Sequence, residues 1–127
     1  MKTLNLEHIL EIHALVADFT GGSSKLRDLG RLEAAIASQT QNVFGEELYS
    51  TVFDKVAAII RCIIADHPFV DGNKRTAMLA GLTLLELNGF HFTAQSGEIE
   101  DFAVLIATDK LDVPAITKWL RNYTGPA

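Results

Sequence analysis

The feature that most constrains this chain is a polar segment set between its two most apolar stretches. From Val52, apolar residues recur at Val56, Ile59, Ile60, Ile63 and Ile64, which is i, i+4, i+7, i+8, i+11 and i+12, the spacing of one helix face. Pro68 ends that helix, because proline disfavours the helical conformation of the residue before it and so puts His67 at the helix edge. Helix resumes at Asn73 or Lys74 and runs to the stop at Asn88-Gly89. Ala77, Leu79, Ala80, Leu82, Leu84, Leu85 and Leu87 make it apolar on nearly every side, which places it in the centre. The linker His67–Thr76 is therefore a polar loop joining two core helices, and polar groups at such a place need a reason.

The rest of the chain is also helical in pattern. Asn5 caps a first helix with the stripe Leu6, Ile9, Leu10, His13, Val16 and Ala17, ending near Gly21-Gly22. Asp28 caps a short second helix through Leu29, Leu32, Ala35 and Ile36. A further helix starts near Glu98, and the last is capped by Asp112 with Pro114 in its first turn. Glu46 and Glu47 read as a solvated helix start, and Phe90 to Thr93 as a short extended piece. The expectation is an all-α, single-domain bundle of about six helices over residues 1–124, with 125–127 a disordered tail.

A chain of 127 residues, 48% hydrophobic, has the size of one domain. Its net charge of −5 argues against a broad nucleic-acid footprint, and the apolar helix after Lys74 leaves no polar face for a DNA groove. No direct DNA binding by this chain alone is expected. The longest uncharged apolar stretch, Thr76 to Leu85, is half of the roughly 20 residues that a membrane span needs. No cationic segment leads into an apolar run at Met1 to Leu10, so a cytoplasmic protein without membrane contact is expected. One cysteine, Cys62, excludes an internal disulfide and a multi-thiolate metal site. It reads as a small packing residue.

The chemistry is concentrated in the linker. Gly72 and Asn73 tolerate unusual backbone angles and stand just before a helix start, where free N–H groups and the helix dipole favour an anion. Lys74 and Arg75 oppose that dipole unless a phosphate reverses the sign. His67 exchanges a proton near neutral pH, and Asp71 offers a carboxylate to a divalent cation or a hydroxyl. Such a set suits transfer of a phosphorus group from a nucleotide to a hydroxyl, without saying which phosphorus is attacked.

The linker resembles the active-site loop of the Fic/Doc family, whose pattern runs His-x-Phe, an acidic or amide residue, a small residue and Asn-x-Arg. His67, Phe69, Asp71, Gly72, Asn73 and Arg75 match it. The AMP-transferring Fic branch has glycine where Lys74 stands and a second arginine where Met78 stands, and both departures match the Doc ("death on curing") branch. Gly21-Gly22, Asp28-x-Gly30-Arg31-x-Glu33, Phe44-x-Glu46-Glu47 and Asn88-Gly89 extend the likeness over the chain. The resemblance implies the toxin of a type II toxin–antitoxin module of Phd/Doc type. Such a toxin is a kinase that moves the γ-phosphoryl group of ATP, with Mg2+, to a threonine or serine of a translation factor. Elongation factor Tu is the implied target and inhibition of translation the result.

The same resemblance makes His67 the general base, Asp71 the partner of the metal or the acceptor, and Asn73, Lys74 and Arg75 the phosphate ligands. Gly72 then supplies backbone N–H groups to the anion site, and Phe69 anchors the loop from inside. The resemblance also implies that the segment from Gln41 to Tyr49 lines the groove for the target chain. The self-inhibitory Ser/Thr-x-x-x-Glu-Gly/Asn pattern of some Fic proteins is not found here, since Thr3 to Glu7 is followed by His8; control by a Phd-like antitoxin in trans is expected. An AMP-transferring enzyme and a catalytically idle anion-binding domain are the alternatives. His8, His13 and His91 read as structural or solvent-facing, and Asp66 as a cap.

Overall fold

The computed structural model describes residues 1–126. Six helices follow in order: α1 (Leu6–Thr20), α2 (Leu29–Ala37), α3 (Val52–Asp66), α4 (Asn73–Leu87), α5 (Ser96–Asp109) and α6 (Val113–Asn122). Asn5, Asp28, Thr51 and Asp112 cap α1, α2, α3 and α6 through their side chains, each satisfying a first-turn N–H that has no partner in its helix. His8 completes the cap of α1 by accepting from the Asn5 N–H at 3.1 Å.

α3 is the hub, packed by α4 and α6 and flanked by α2 and α5. Val56, Ile59, Ile60 and Ile63 on it are fully buried. Each buried aliphatic side chain of that size contributes about 1.5–3 kcal/mol of apolar burial. α3 and α4 cross so closely that a Cβ on Gly81 would run into the Ile60 side chain, 2.7 Å from its Cγ1, which is why glycine stands there.

Three features differ from the sequence expectation. Glu46 and Glu47 do not start a helix: Glu46–Glu47 is a strand, β2, antiparallel to β1 (Asn42–Val43). Phe44 and Gly45 at the tip have positive φ, and the buried Lys55 ties the hairpin to α3 by donating to Glu47 Oε1 at 3.0 Å and to the Gln39 carbonyl at 3.2 Å. Second, Gly125 and Pro126 are not a loose tail. β4 (Thr124–Pro126) pairs with β3 (Phe90–Phe92), because Tyr123 beside it packs on Phe92 and Trp119. Ala127 lies outside the described residues. Third, α4 is not buried all round. Ala77, Ala80, Leu84 and Leu85 are inside, whereas Leu79 and Leu87 are exposed.

Candidate active site

The loop between α3 and α4 is built from four anchors. His67 closes α3 in the left-handed conformation, φ 48° and ψ 61°, with its N–H donating to the Ile63 carbonyl at 3.2 Å. The segment ahead of α2 then pairs with the loop: Arg27 and Asp28 N–H donate to the Pro68 carbonyl at 2.7 and 2.9 Å, and Val70 N–H to the Lys25 carbonyl at 3.1 Å. Phe69 points into the core, 1% exposed, and stacks on His13 of α1. Asn73, the first residue of α4, folds its amide back on Phe69, accepting from its N–H at 3.0 Å and donating to its carbonyl at 2.9 Å.

This last pair changes what Asn73 offers. Its side chain, expected to hold phosphate, is buried and committed to the Phe69 backbone, so what remains for an anion is its N–H in the first turn of α4. Gly72 precedes it at φ 76°, and a Cβ there would lie 3.1 Å from Val16 Cγ1. Glycine is required both by the angle and by the close approach of α1.

His67, Asp71, Gly72, Lys74 and Arg75 line one polar cleft of about 510 Å³, together with Thr20 and Gly22. Most of the residues singled out in the sequence thus share one cleft, His67, Asp71, Lys74 and Arg75 with exposed side chains. Asp71 Oδ2 accepts only a long bond, 3.4 Å, from the Ser23 N–H, which leaves most of its acceptor capacity open. Arg75 lies 3.7 Å from Glu100 on α5, an acidic neighbour that the sequence did not single out. Free N–H groups, the positive end of the helix dipole and the side chains of Lys74 and Arg75 thus meet at the start of α4, in the cleft that His67 also lines.

Arg27 and the part played by His13 were not legible as site features, since neither lies in the linker. Asp66 is no side-chain cap in the structure; its carbonyl, with that of His67, is taken by arginines of the α2 region. His8 and His91 stay outside the cleft, as the sequence implied. Among the described residues no group of three His, Cys, Asp or Glu side chains gathers to hold a metal. Nor, among the described residues, is any helix long and apolar enough to cross a membrane.

A second, apolar groove of about 670 Å³ runs from the same Lys74 and Arg75 between α1, α4 and α5. Leu15, Phe19, Leu79 and Val104 are exposed along it, Phe19 to 84%.

Comparison with known proteins agrees with this geometry. The model of the Fic/DOC family matches residues 3–85, which include α1 to α3, the whole loop and all but the last two residues of α4. The chain belongs to the Fic/Doc family. It is 37% identical over 109 residues to the Toxin Doc of Mycolicibacterium smegmatis, covering 84% of each chain. It is 31% identical over 127 residues to the Protein kinase doc of Escherichia phage P1, covering 100% of this chain and 99% of that one.

Proposed function

We propose that this Fic/Doc protein is the toxin of a type II toxin–antitoxin pair, acting in the cytoplasm by moving the γ-phosphoryl group of ATP to a Ser or Thr hydroxyl of a translation factor. Elongation factor Tu is the target to test first. The observation that carries the reading is the shared cleft, in which His67 faces a helix start bearing Lys74 and Arg75. The names of the two relatives, a toxin and a protein kinase, favour it.

In this reading His67 takes the proton of the acceptor hydroxyl as its oxygen bonds to the γ-phosphorus. The bond from that phosphorus to the β-phosphate oxygen breaks, and ADP leaves with the electron pair. The α4 N–H groups, Lys74 and Arg75 hold the phosphate oxygens. Asp71 is the one carboxylate of the cleft, which fits Mg2+ carried by the nucleotide, an ion usually bound by one or two carboxylates together with phosphates. When bound, Mg2+ neutralises charge on the phosphates. The absence of a second arginine at Met78, which is only 3% exposed, favours γ- over α-phosphorus attack.

The apolar groove supports a Phd-like antitoxin. Its exposed Leu15, Phe19, Leu79 and Val104 match the apolar face of an amphipathic segment that folds as it binds, and the groove ends at Lys74 and Arg75.

The test is label transfer to purified elongation factor Tu from ATP labelled in parallel at the γ and α phosphorus, with His67→Ala as the blank. Transfer of γ label alone is expected. Transfer of α label would make the protein a nucleotidyl transferase, and no transfer to the factor or to any lysate protein would leave an idle anion-binding domain.

A further inference from the structure

The last carbonyls of a helix have no partner within it and carry the negative end of its dipole. At the end of α3 two arginines meet them. Arg27 Nε donates to the His67 carbonyl at 2.7 Å, and its Nη2 to the Asp66 carbonyl at 2.8 Å. Arg31 Nη1 reaches the Asp66 carbonyl alone, at 2.9 Å. The Asp66 carbonyl thus has two guanidinium donors, while among the described residues the His67 carbonyl has Arg27 only.

The asymmetry matters because of what His67 is doing. Its left-handed backbone, φ 48° and ψ 61°, is one that a residue with a Cβ seldom adopts, and a following proline favours an extended conformation instead. Two bonds oppose that relaxation, one from the His67 N–H to Ile63 and one to its carbonyl from Arg27. His67 also stands at a divide, lining the polar cleft and a second pocket of about 280 Å³ with Arg61 and Lys110. A turn of the His67 backbone would move the ring away from the phosphate end of the cleft.

We propose that Arg27 is a positioning residue for His67, its planar fork clamping the end of α3 in the left-handed turn that sets the imidazole beside the start of α4. The proposal rests on the reading of His67 as the base. Arg31 is the internal control, since it donates to the same helix end without touching the His67 carbonyl, its Nε pairing instead with Asp28 Oδ2 at 3.4 Å.

The experiment compares full-length Arg27→Ala, Arg27→Lys and Arg31→Ala with the unaltered protein in three readouts: kcat and KM for phosphoryl transfer, Mg-ATP affinity by calorimetry, and amide hydrogen exchange at Phe69 and Val70 against Ile60 in the core. Arg27→Ala is expected to lower kcat at least about tenfold and to speed exchange at Phe69 and Val70 by a similar factor, while ATP affinity and Ile60 exchange stay within about twofold. Arg27→Lys, with one donor nitrogen in place of a planar fork, should recover part of the loss. Arg31→Ala should keep kcat within about twofold. Equal losses in Arg27→Ala and Arg31→Ala would overturn the proposal in favour of plain helix capping, as would unchanged kcat and exchange in Arg27→Ala. A wild-type protein that transfers no label would sink the base assignment, and the clamp is then judged by exchange alone, unchanged rates at Phe69 and Val70 refuting it.

Discussion

The His13 ring lies flat on the Phe69 ring, centroids 3.7 Å apart and planes 8° from parallel, while its Nε2 donates to the Asp71 carbonyl at 2.8 Å. A carbonyl only accepts, so Nε2 carries the proton. One buried side chain of α1 thereby holds the loop at both its apolar anchor and its acidic residue. His13→Phe keeps the stack and loses the bond. It should cost about 1 kcal/mol, a fall of about 3–5 °C in melting temperature. Transfer activity should fall further than stability does, since Asp71 loses its fixed carbonyl; a variant with full activity would show that Asp71 needs no support from α1.

Within the motif, Asn73 and Lys74 are adjacent but have different work. Asn73→Ala leaves the Phe69 N–H and carbonyl buried without their side-chain partner, at about 1–3 kcal/mol for each unsatisfied group. Lys74 is exposed and makes no ion pair among the described residues. Lys74→Ala should leave the melt unchanged and weaken ATP binding. Thermal melts beside calorimetry separate the two, and a Lys74→Ala melt as low as that of Asn73→Ala would contradict the division.

The helices were legible because their period and caps are local: Asn5, Asp28 and Asp112 each cap the helix expected of them. The β1–β2 hairpin was not, because two-residue strands carry no period, and its tip puts a non-glycine residue, Phe44, at positive φ. The open side of α4 was hidden for another reason. A helix apolar on every side does not reveal which side its neighbours leave bare, and only the placing of α1 and α5 shows that Leu79 is on a groove. In the loop, residue types showed what could meet a phosphate, but not that the Asn73 amide closes on Phe69. That depends on Phe69 going inward, a tertiary event.

Thr76 is fully buried one turn into α4, and its Oγ1 has no hydrogen-bond partner among the described residues. An unmade bond of this kind costs about 1–3 kcal/mol, and valine has nearly the same shape. Thr76→Val should therefore raise the melting temperature by about 3 °C or more. A drop in melting temperature would mean that the hydroxyl is satisfied in solution, by a bound water for example.

Cys62 bears on the catalytic assignment by exclusion. Burial pushes its thiol above the ordinary value and Asp66 adds to this, while the nearby Ser38 hydroxyl and Arg61 pull the other way. A raised pKa leaves little thiolate near neutral pH, the opposite of a nucleophile's need. Alkylation of the folded protein at pH 8 should be slower than that of the denatured chain, and Cys62→Ala should keep full transfer activity. Rapid labelling of the folded protein that abolishes activity would reopen a covalent route.

Arg75 is the residue whose role the structure leaves most directly measurable. Its pair with Glu100 is 3.7 Å long with both side chains about half exposed, so it adds little to stability. Arg75→Ala should keep the melting temperature within about 2 °C and weaken Mg-ATP binding, more so at low salt, where the charge is least screened. On the proposed reading Glu100 competes with the phosphate for the same guanidinium, so Glu100→Gln should tighten binding about two- to threefold. If Arg75→Ala instead lowers the melt by more than about 5 °C, or Glu100→Gln weakens binding, the pair is part of the α4–α5 packing and not a phosphate ligand held in reserve.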